Sequence, residues 1–402
     1  MGFYASEAVR PFLARDRVRF VGEPVAVVVA ETAYQAADAA ESVWVDIQPL
    51  TAVVSLDDAM AAETVLFETR HDNAMWQIPS SGAIDFSDCE VVVTGELWNS
   101  RVAAVSIEPR VVAASFADGK LTYWASSQGT HDFRDGAATC LGMDPSEIRV
   151  LVKDVGGGFG AKGMISEEEV IVGQLSRLVG RPVRWVESRT ENLSAYVHGR
   201  AQAQTVTVGG TRDGGVTHYR LDVVQDCGAY PKWGAFLPEV TRQLATGVYD
   251  IANLEFSAVS LATNTAPTCA YRGAGRPEAT AAIERAMDLF AAEIGMDASE
   301  VRRTNLLAPE AFPYTTPTGT SMDSGDYEGA LDRALAAADY AGLRAEQQRR
   351  REAGDLVHMG IGVATYVEIT GFGGSEYGEV RLRSDGTVLA STGATPIGTG
   401  HH

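Results

Sequence analysis

The stretch Val155-Gly156-Gly157-Gly158-Phe159-Gly160-Ala161-Lys162, following an apolar run at 148–152, constrains the fold more than any other. A buried strand that stops at four glycines around one aromatic ends in a backbone loop, not in packed side chains. Glycine has no Cβ and reaches positive φ at little cost, so consecutive amides can curl into a nest for phosphate or oxo oxygens. Phe159 would be displayed beside that ligand. A mobile glycine turn would have the same composition, and this stretch by itself does not separate the two. A dinucleotide-binding fingerprint competes as well, because Gly156-x-Gly158-x-x-Ala161 follows a strand and Glu187 ends the next one. Against it, Ser166-x-x-Glu169 puts the helix cap beyond the glycines, so Glu167, Glu168 and Glu169 would crowd a phosphate. A Walker A loop fails because Gly163 stands where Ser or Thr must reach magnesium.

Around the loop the pattern is α+β, mixed α/β. Residues 1–62 predict a β-β-α-β unit: extended pieces over 17–30 broken at Gly22-Glu23-Pro24, a helix opened by Thr32, then alternation at 43–47. The Ser/Asp-rich stretch 71–88 predicts a linker, drawn at 63–91, and residues 92–402 form the second domain. There the patterns predict strands at 120–125 and 148–152, a helix at 132–141 and a hairpin turning at Asp213-Gly214-Gly215. Further on they predict helices at 279–294, 326–338 and 341–353 and a hairpin over 376–390. Ile283, Met287, Phe290 and Ile294 share one helical face.

The charge balance excludes some partners. Lys and Arg total 33 against 53 Asp and Glu, a net charge of -20 that repels nucleic acid and anionic lipid. The apolar run at 25–30 is too short to span a bilayer and the first residues lack signal-peptide order, so the expected location is cytoplasmic. Cys89, Cys140, Cys227 and Cys269 are scattered without a CxxC pair, which argues against a zinc ribbon or iron–sulfur cluster. They are expected to be mostly buried small hydrophobes. His198 and His218 lack metal-ligand spacing, so no side-chain metal site is expected.

Two more segments carry chemistry. Arg272 and Arg276 flank glycines just before a helix, where guanidinium groups can bind an anion with paired donors or simply meet surface carboxylates. Gln128 ends a strand and precedes a helix, a common place for a site residue and equally for a solvated loop amide. The last residues, Gly393-Ala394-Thr395-Pro396-Ile397-Gly398-Thr399-Gly400-His401-His402, form another glycine-rich loop after a strand. Such a segment reads as the middle of a site, and the expectation is an incomplete chain.

Taken in order, Val21-Gly22-Glu23-Pro24-Val25-Ala26, Ile107-Glu108-Pro109-Arg110, Ser127-Gln128, the glycine–Phe159–glycine loop, Ala270-Tyr271-Arg272-Gly273-Ala274-Gly275-Arg276 and Gly398-Thr399-Gly400-His401 resemble one family. It is the molybdenum-binding large subunit of the xanthine dehydrogenase / aldehyde oxidase family, in the style of the aerobic carbon monoxide dehydrogenase branch. The resemblance implies an α/β hammerhead domain at 1–62 followed by the first part of the molybdopterin-binding domain. It implies a molybdenum hydroxylase that oxidises an aldehyde or N-heterocycle with water-derived oxygen, using molybdopterin cytosine dinucleotide. Electrons would leave through an iron–sulfur small subunit and an FAD-binding medium subunit, in a dimer of heterotrimers.

By position, the resemblance gives catalytic roles to Gln128, Phe159 and Arg272. It gives cofactor contacts to Gln128, Gly157, Gly158, Phe159, Gly160, Arg272, Gly398 and Gly400. Three departures bear on function. The copper-binding cysteine of carbon monoxide dehydrogenases would fall at Gly273, which argues against that activity. Gly163 stands where purine-oxidising relatives carry a glutamate. The family's catalytic glutamate would fall beyond His402, so this chain alone is expected to be inactive. The alternative readings are a non-catalytic scaffold or pterin-binding module, or carbon monoxide dehydrogenase-type activity without the copper cysteine.

Overall fold

A computed structural model describes residues 8–80, 82–369, 371 and 377–401. Residues 1–7 of the first unit, Ser81 of the expected linker, Glu376 at the start of the last hairpin and His402 lie outside the described residues.

Two sheets position the site. The larger runs in the order Ala74–Ile78, Asn253–Ala262, Val216–Gly228, Gln202–Gly210, Val91–Asn99. Its Val216–Gly228 and Asn253–Ala262 strands are parallel and its other pairs antiparallel. Alternation decides which face is covered: Val206, Val208, Tyr219, Leu221 and Val223 are all buried and form one core with the helix Arg276–Ile294. That helix has Pro277 in its first turn and ends at Gly295 in the left-handed conformation. Ile283, Met287 and Phe290 are fully buried, as the one-faced pattern predicted. Truncating Phe290 to alanine would cost about 3–5 kcal/mol.

The smaller sheet runs in the order Ile148–Leu151, Lys120–Ala125, Val111–Ala117, Val183–Val186, and helices Thr130–Leu141 and Glu167–Val179 contribute to its core through Phe133, Ala137 and Val172. Lys120–Ala125 and Ile148–Leu151 are parallel. Parallel neighbours end at the same edge of a sheet, so the segment after Ala125, carrying Gln128, and the glycine loop after Leu151 emerge side by side.

The first unit departs from expectation. Helix Ala33–Glu41 forms behind a Thr32–Gln35 capping box, but the extended pieces at 17–30 and 43–47 join no ladder among the described residues. A period-two pattern becomes a strand only by pairing, and here Val25, Val27, Val29, Val43 and Val45 are all exposed. The unit is held instead by bonds outside any ladder, among them the Asn264 amide donating to the Val53 carbonyl at 2.6 Å. The Tyr230 hydroxyl donates to Glu23 at 2.5 Å, and Asn264 donates to the Arg19 carbonyl at 2.7 Å while accepting from the Val53 amide at 2.9 Å.

The stretch 63–91 is also structured at its centre. Ala74–Ile78 is an edge strand of the larger sheet, and Leu66 and Phe67 are buried near Tyr230. Its polarity misleads because Asn73 is fully buried, accepting from the Leu66 amide and donating to the Ala59 and Thr64 carbonyls. The cysteines correct a second expectation: Cys227 is buried, Cys89 and Cys269 are intermediate and Cys140 is exposed. Among the described residues no helix is long and apolar enough to cross a membrane.

Candidate active site

Gln128 is the hub. Its amide donates to the Lys162 carbonyl at 3.0 Å, its side-chain Oε1 accepts from the Gly160 amide at 2.8 Å, and its carbonyl accepts from the Thr395 hydroxyl. One residue thereby touches both glycine-rich loops. A Cβ on Gly158 would lie 2.5 Å from Gln128 Oε1, so that glycine is required by close approach of the glutamine amide.

The loop bends sharply, with φ of 99° at Gly157, 54° at Phe159 and 92° at Gly160. Phe159 is the unusual one, since a bulky residue pays for φ > 0. Its carbonyl accepts from the Arg272 amide at 3.0 Å, which ties the glycine loop to the Tyr-Arg-Gly turn. Arg272 is exposed, and its guanidinium has no hydrogen-bond or ionic partner among the described residues. Arg276, the other arginine of the turn, is instead paired with Glu368 at 2.8 Å.

Beneath the loop is a charged latch, with Lys162 buried and Glu108 half-buried. Lys162 Nζ donates to the Glu108 carbonyl at 2.7 Å, to Ser126 Oγ at 2.8 Å and to Glu108 Oε2 at 3.2 Å. Glu108 Oε2 also accepts from the Gly156 amide at 2.8 Å and from Ser126 at 2.7 Å. Burial works against ionisation of Glu108, yet the Ser126 and Gly156 hydrogen bonds and the Lys162 ammonium hold its carboxyl below the ordinary value. Burial likewise pulls Lys162 down, opposed by Glu108. No role for Glu108 was legible in sequence, because its partners Gly156 and Lys162 lie far along the chain.

Some of the expected nest is therefore occupied internally. The Gly156 and Gly160 amides serve Glu108 and Gln128, whereas those of Gly157, Gly158 and Phe159 have no partner among the described residues and remain for a ligand. The terminal loop joins through its neighbours: Val155 donates to the Pro396 carbonyl at 2.9 Å. Gly398 and Gly400 have φ of 93° and 81° and open space around them, and neither bonds directly to Gln128, Phe159 or Arg272 among the described residues. A cavity of about 260 Å³ is lined by His131, Tyr377, Ser391, Thr392 and Gly393, of which His131 lies close to Gln128 along the chain and Ser391, Thr392 and Gly393 lie close to Thr395.

The dinucleotide alternative loses its acid. Glu187 is buried and bound by Arg110 at 2.5 Å and by Asn192 at 2.8 Å, leaving no role on a ribose. Arg110 also pairs with Glu168 at 2.7 Å and lies 3.9 Å from the Tyr196 ring centroid, while the Tyr196 hydroxyl donates to the Ala161 carbonyl.

Residues 66–306 match the molybdopterin cofactor-binding domain family, residues 333–402 match a second such domain family, and residues 2–51 match the a/b hammerhead domain of aldehyde oxidase and xanthine dehydrogenase. The chain belongs to the molybdopterin-binding large subunits of the xanthine dehydrogenase and aldehyde oxidase family. It is 34% identical to the carbon monoxide dehydrogenase large chain of Hydrogenophaga pseudoflava, over 98% of this chain and 53% of that one. It is 32% identical to the nicotine 6-hydroxylase large subunit of Paenarthrobacter nicotinovorans, over 97% of this chain and 50% of that one. Among solved structures, quinoline 2-oxidoreductase from Pseudomonas putida 86 superposes with a TM-score of 0.92 at 31% identity, covering 98% of this chain and 52% of that one. The Cu,Mo-CO dehydrogenase in its carbon monoxide reduced state gives 0.90 at 32% identity, covering 97% and 54%. The chain thus spans about half the length of the curated relatives it matches.

The residues present fit a molybdenum-pterin cofactor. Three unpartnered amides in the glycine loop, an open glycine turn at Gly398–Gly400 and the unpaired Arg272 guanidinium supply donors for an anionic group, and no carboxylate pairs with that guanidinium among the described residues.

Proposed function

We propose that this chain is the cofactor-binding part of a molybdenum hydroxylase catalytic subunit that oxidises an aldehyde or N-heterocycle. The observation that carries the reading is the convergence of Gln128 and Arg272 on the Phe159 loop, Gln128 through Gly160 and Lys162 and Arg272 through the Phe159 carbonyl, with the Gly157, Gly158 and Phe159 amides and the Arg272 guanidinium unpartnered among the described residues. When bound, the molybdenum-pterin group supplies a two-electron oxidation that inserts an oxygen drawn from water. The chain's own residues then have separate tasks. The Gly157, Gly158 and Phe159 amides and the Gly398–Gly400 turn hold phosphate oxygens, Gln128 offers its amide nitrogen to an oxo or substrate oxygen, and Arg272 neutralises charge. Phe159, 38% exposed, gives an aromatic surface for a flat substrate ring.

The cytosine dinucleotide form is proposed for the cofactor, with an iron–sulfur small subunit and an FAD-binding medium subunit as electron acceptors, in a dimer of heterotrimers in the cytoplasm. Two relatives named as a large chain and a large subunit support the multi-subunit part. Gly273 weighs against carbon monoxide as substrate. Its φ is 100°, and a Cβ there would lie 2.3 Å from Pro277, so this turn cannot take the copper-binding cysteine without rebuilding.

The test is chemical analysis of the purified complete complex. One pterin and one molybdenum per chain are expected, with release of cytidine monophosphate on hydrolysis and turnover of an aromatic aldehyde or quinoline-like ring with an artificial electron acceptor. Gln128→Ala should lower kcat at least about tenfold, the loss of one oriented donor at the reacting group. A complex carrying no pterin sinks the reading.

A further inference from the structure

Arg200 lies outside every motif above, yet it reaches the site from behind. Its guanidinium donates to the Tyr271 carbonyl at 3.0 Å and to the Arg272 carbonyl at 2.7 Å, with its charge 4.8 Å from the Tyr271 ring centroid. The backbone is bent to deliver it: Arg200 and Ala201 have φ of 62° and 68°, two successive non-glycine residues in the left-handed region. Such strain persists only where surroundings over-determine it. Here the His198 carbonyl accepts from Cys269, Gln225 donates to the Arg200 carbonyl, and the Asp226 amide donates to the Ala201 carbonyl. A Cβ on Gly199 would lie 2.3 Å from Tyr271 Cβ, so the segment lies flush against the turn.

Behind Arg200 is Glu278, fully buried in the first turn of the helix that follows the turn, 3.5 Å from Arg200 Nη1. Neither carboxylate oxygen of Glu278 has a hydrogen-bond partner among the described residues. A plain ion pair would aim the guanidinium at the carboxylate. Instead the donors point at two carbonyls and Glu278 braces the charge from the side.

The geometry has a specific consequence. A trans peptide is planar and directs its carbonyl and its N–H to opposite sides. The peptide joining Tyr271 to Arg272 is gripped at both ends: its oxygen accepts from Arg200 and, within the turn, from the Ala274 amide at 2.7 Å, and its N–H donates to the Phe159 carbonyl. We infer that Arg200, braced by Glu278, is a positioning residue that sets this peptide plane and with it the approach of Arg272 to Phe159. Its bearing on cofactor retention rests on the function proposed above.

The test uses Arg200→Lys, Arg200→Met, Glu278→Gln and the double variant Arg200→Met/Glu278→Gln in the full chain with its natural subunits. Hydrogen exchange at the Arg272 amide reads the plane directly and needs no cofactor. Arg200→Met should speed that exchange about tenfold and lower pterin retention to match, the loss of a charge-assisted bond. Arg200→Lys should fall between it and wild type, because an ammonium keeps the charge but lacks the fork that spans two carbonyls. Glu278→Gln should give a smaller increase. The double variant removes the unpaired buried carboxylate that Arg200→Met leaves behind, so it should recover unfolding temperature without recovering slow exchange. Wild-type exchange in Arg200→Lys and in the double variant overturns the inference, as does equal loss in Arg200→Lys and Arg200→Met. Should Arg200→Met fail to fold, the other variants decide in the same way. A wild-type complex without pterin would sink the proposed function and leave the exchange result standing.

Discussion

The two glycine-rich loops share a composition and differ in everything around it. In the loop at 155–163, a Cβ on Gly156 would lie 2.5 Å from Glu108, on Gly158 2.5 Å from Gln128 Oε1, and on Gly160 3.0 Å from the Ala270 carbonyl. In the loop at 393–401, a Cβ on Gly393, Gly398 or Gly400 meets nothing within 4 Å. Glycine serves close approach as well as turn geometry in the first and turn geometry alone in the second. The first loop is a finished part, locked by Lys162, Glu108 and Gln128, while the second is joined through Thr395 and Pro396 and presents an open face.

The hardest blow to this contrast is Lys162→Met, which strands Glu108 beneath the first loop. Breaking such a pair costs about 3–5 kcal/mol when both partners are buried, and Glu108, partly open to water, brings this to roughly 2–3 kcal/mol. Urea unfolding checks it, and a loss under about 1 kcal/mol would show that the latch does not hold the loop. Next, Gly160→Ala should cost about 1–3 kcal/mol, since alanine must adopt φ near 92° against the Ala270 carbonyl. The same assay applies, and a neutral result would remove close approach as the reason for that glycine.

A pH series probes the helix that follows the first loop. Glu169 accepts from the Ser166 amide at 2.7 Å and from its hydroxyl at 2.9 Å, and burial pushes its carboxyl up from 4.5 to about 6. A folded value raised above the unfolded one favours the protonated form, so its contribution is full below pH 4.5 and is lost as pH rises through about 6. Glu169→Gln lacks this dependence, so its unfolding temperature should gain on wild type as pH passes from 4.5 to above 6. A constant gap between the two proteins would contradict it. The smallest effect is expected from Gly398→Ala: about 1 kcal/mol of local conformational cost and no measurable change in global unfolding temperature, with pterin retention falling instead. A global loss equal to that of Gly160→Ala would erase the difference between the loops.

Local patterns made much of this architecture legible. The strand at 120–125, the hairpin about Asp213-Gly214-Gly215 and the one-faced helix ending at Ile294 follow from period and turn chemistry, and each is present. The meeting of Gln128, the Phe159 loop and Arg272 followed from a resemblance in motif order, and the backbone bonds between them are the physical form it takes. What stayed hidden depends on partners far apart in the chain. Arg110 with Glu187, Arg200 with the Tyr271 carbonyl and Lys162 with Glu108 leave no periodic trace, because a charged residue looks the same before and after it finds its mate. The alternating segments at 17–30 and 43–47 show the converse: the pattern is legible and the ladder is not there. Ala74–Ile78 was obscured by polar neighbours, of which Asn73 turns out to be buried.

Gln128 makes three bonds to two separate loops, with its amide and side chain to the first and its carbonyl to the second, and it sits three residues past Ala125, whose pairing partner in the smaller sheet is Val112. A slip of one step in that pairing would carry Gln128 about 3.3 Å along the strand and bring Ser127 or Gly129 to its place. All three attachments would vanish together. The cluster of loops therefore acts as a proofreader of strand alignment: only a chain that has zipped the sheet in the correct frame can close its cofactor cradle.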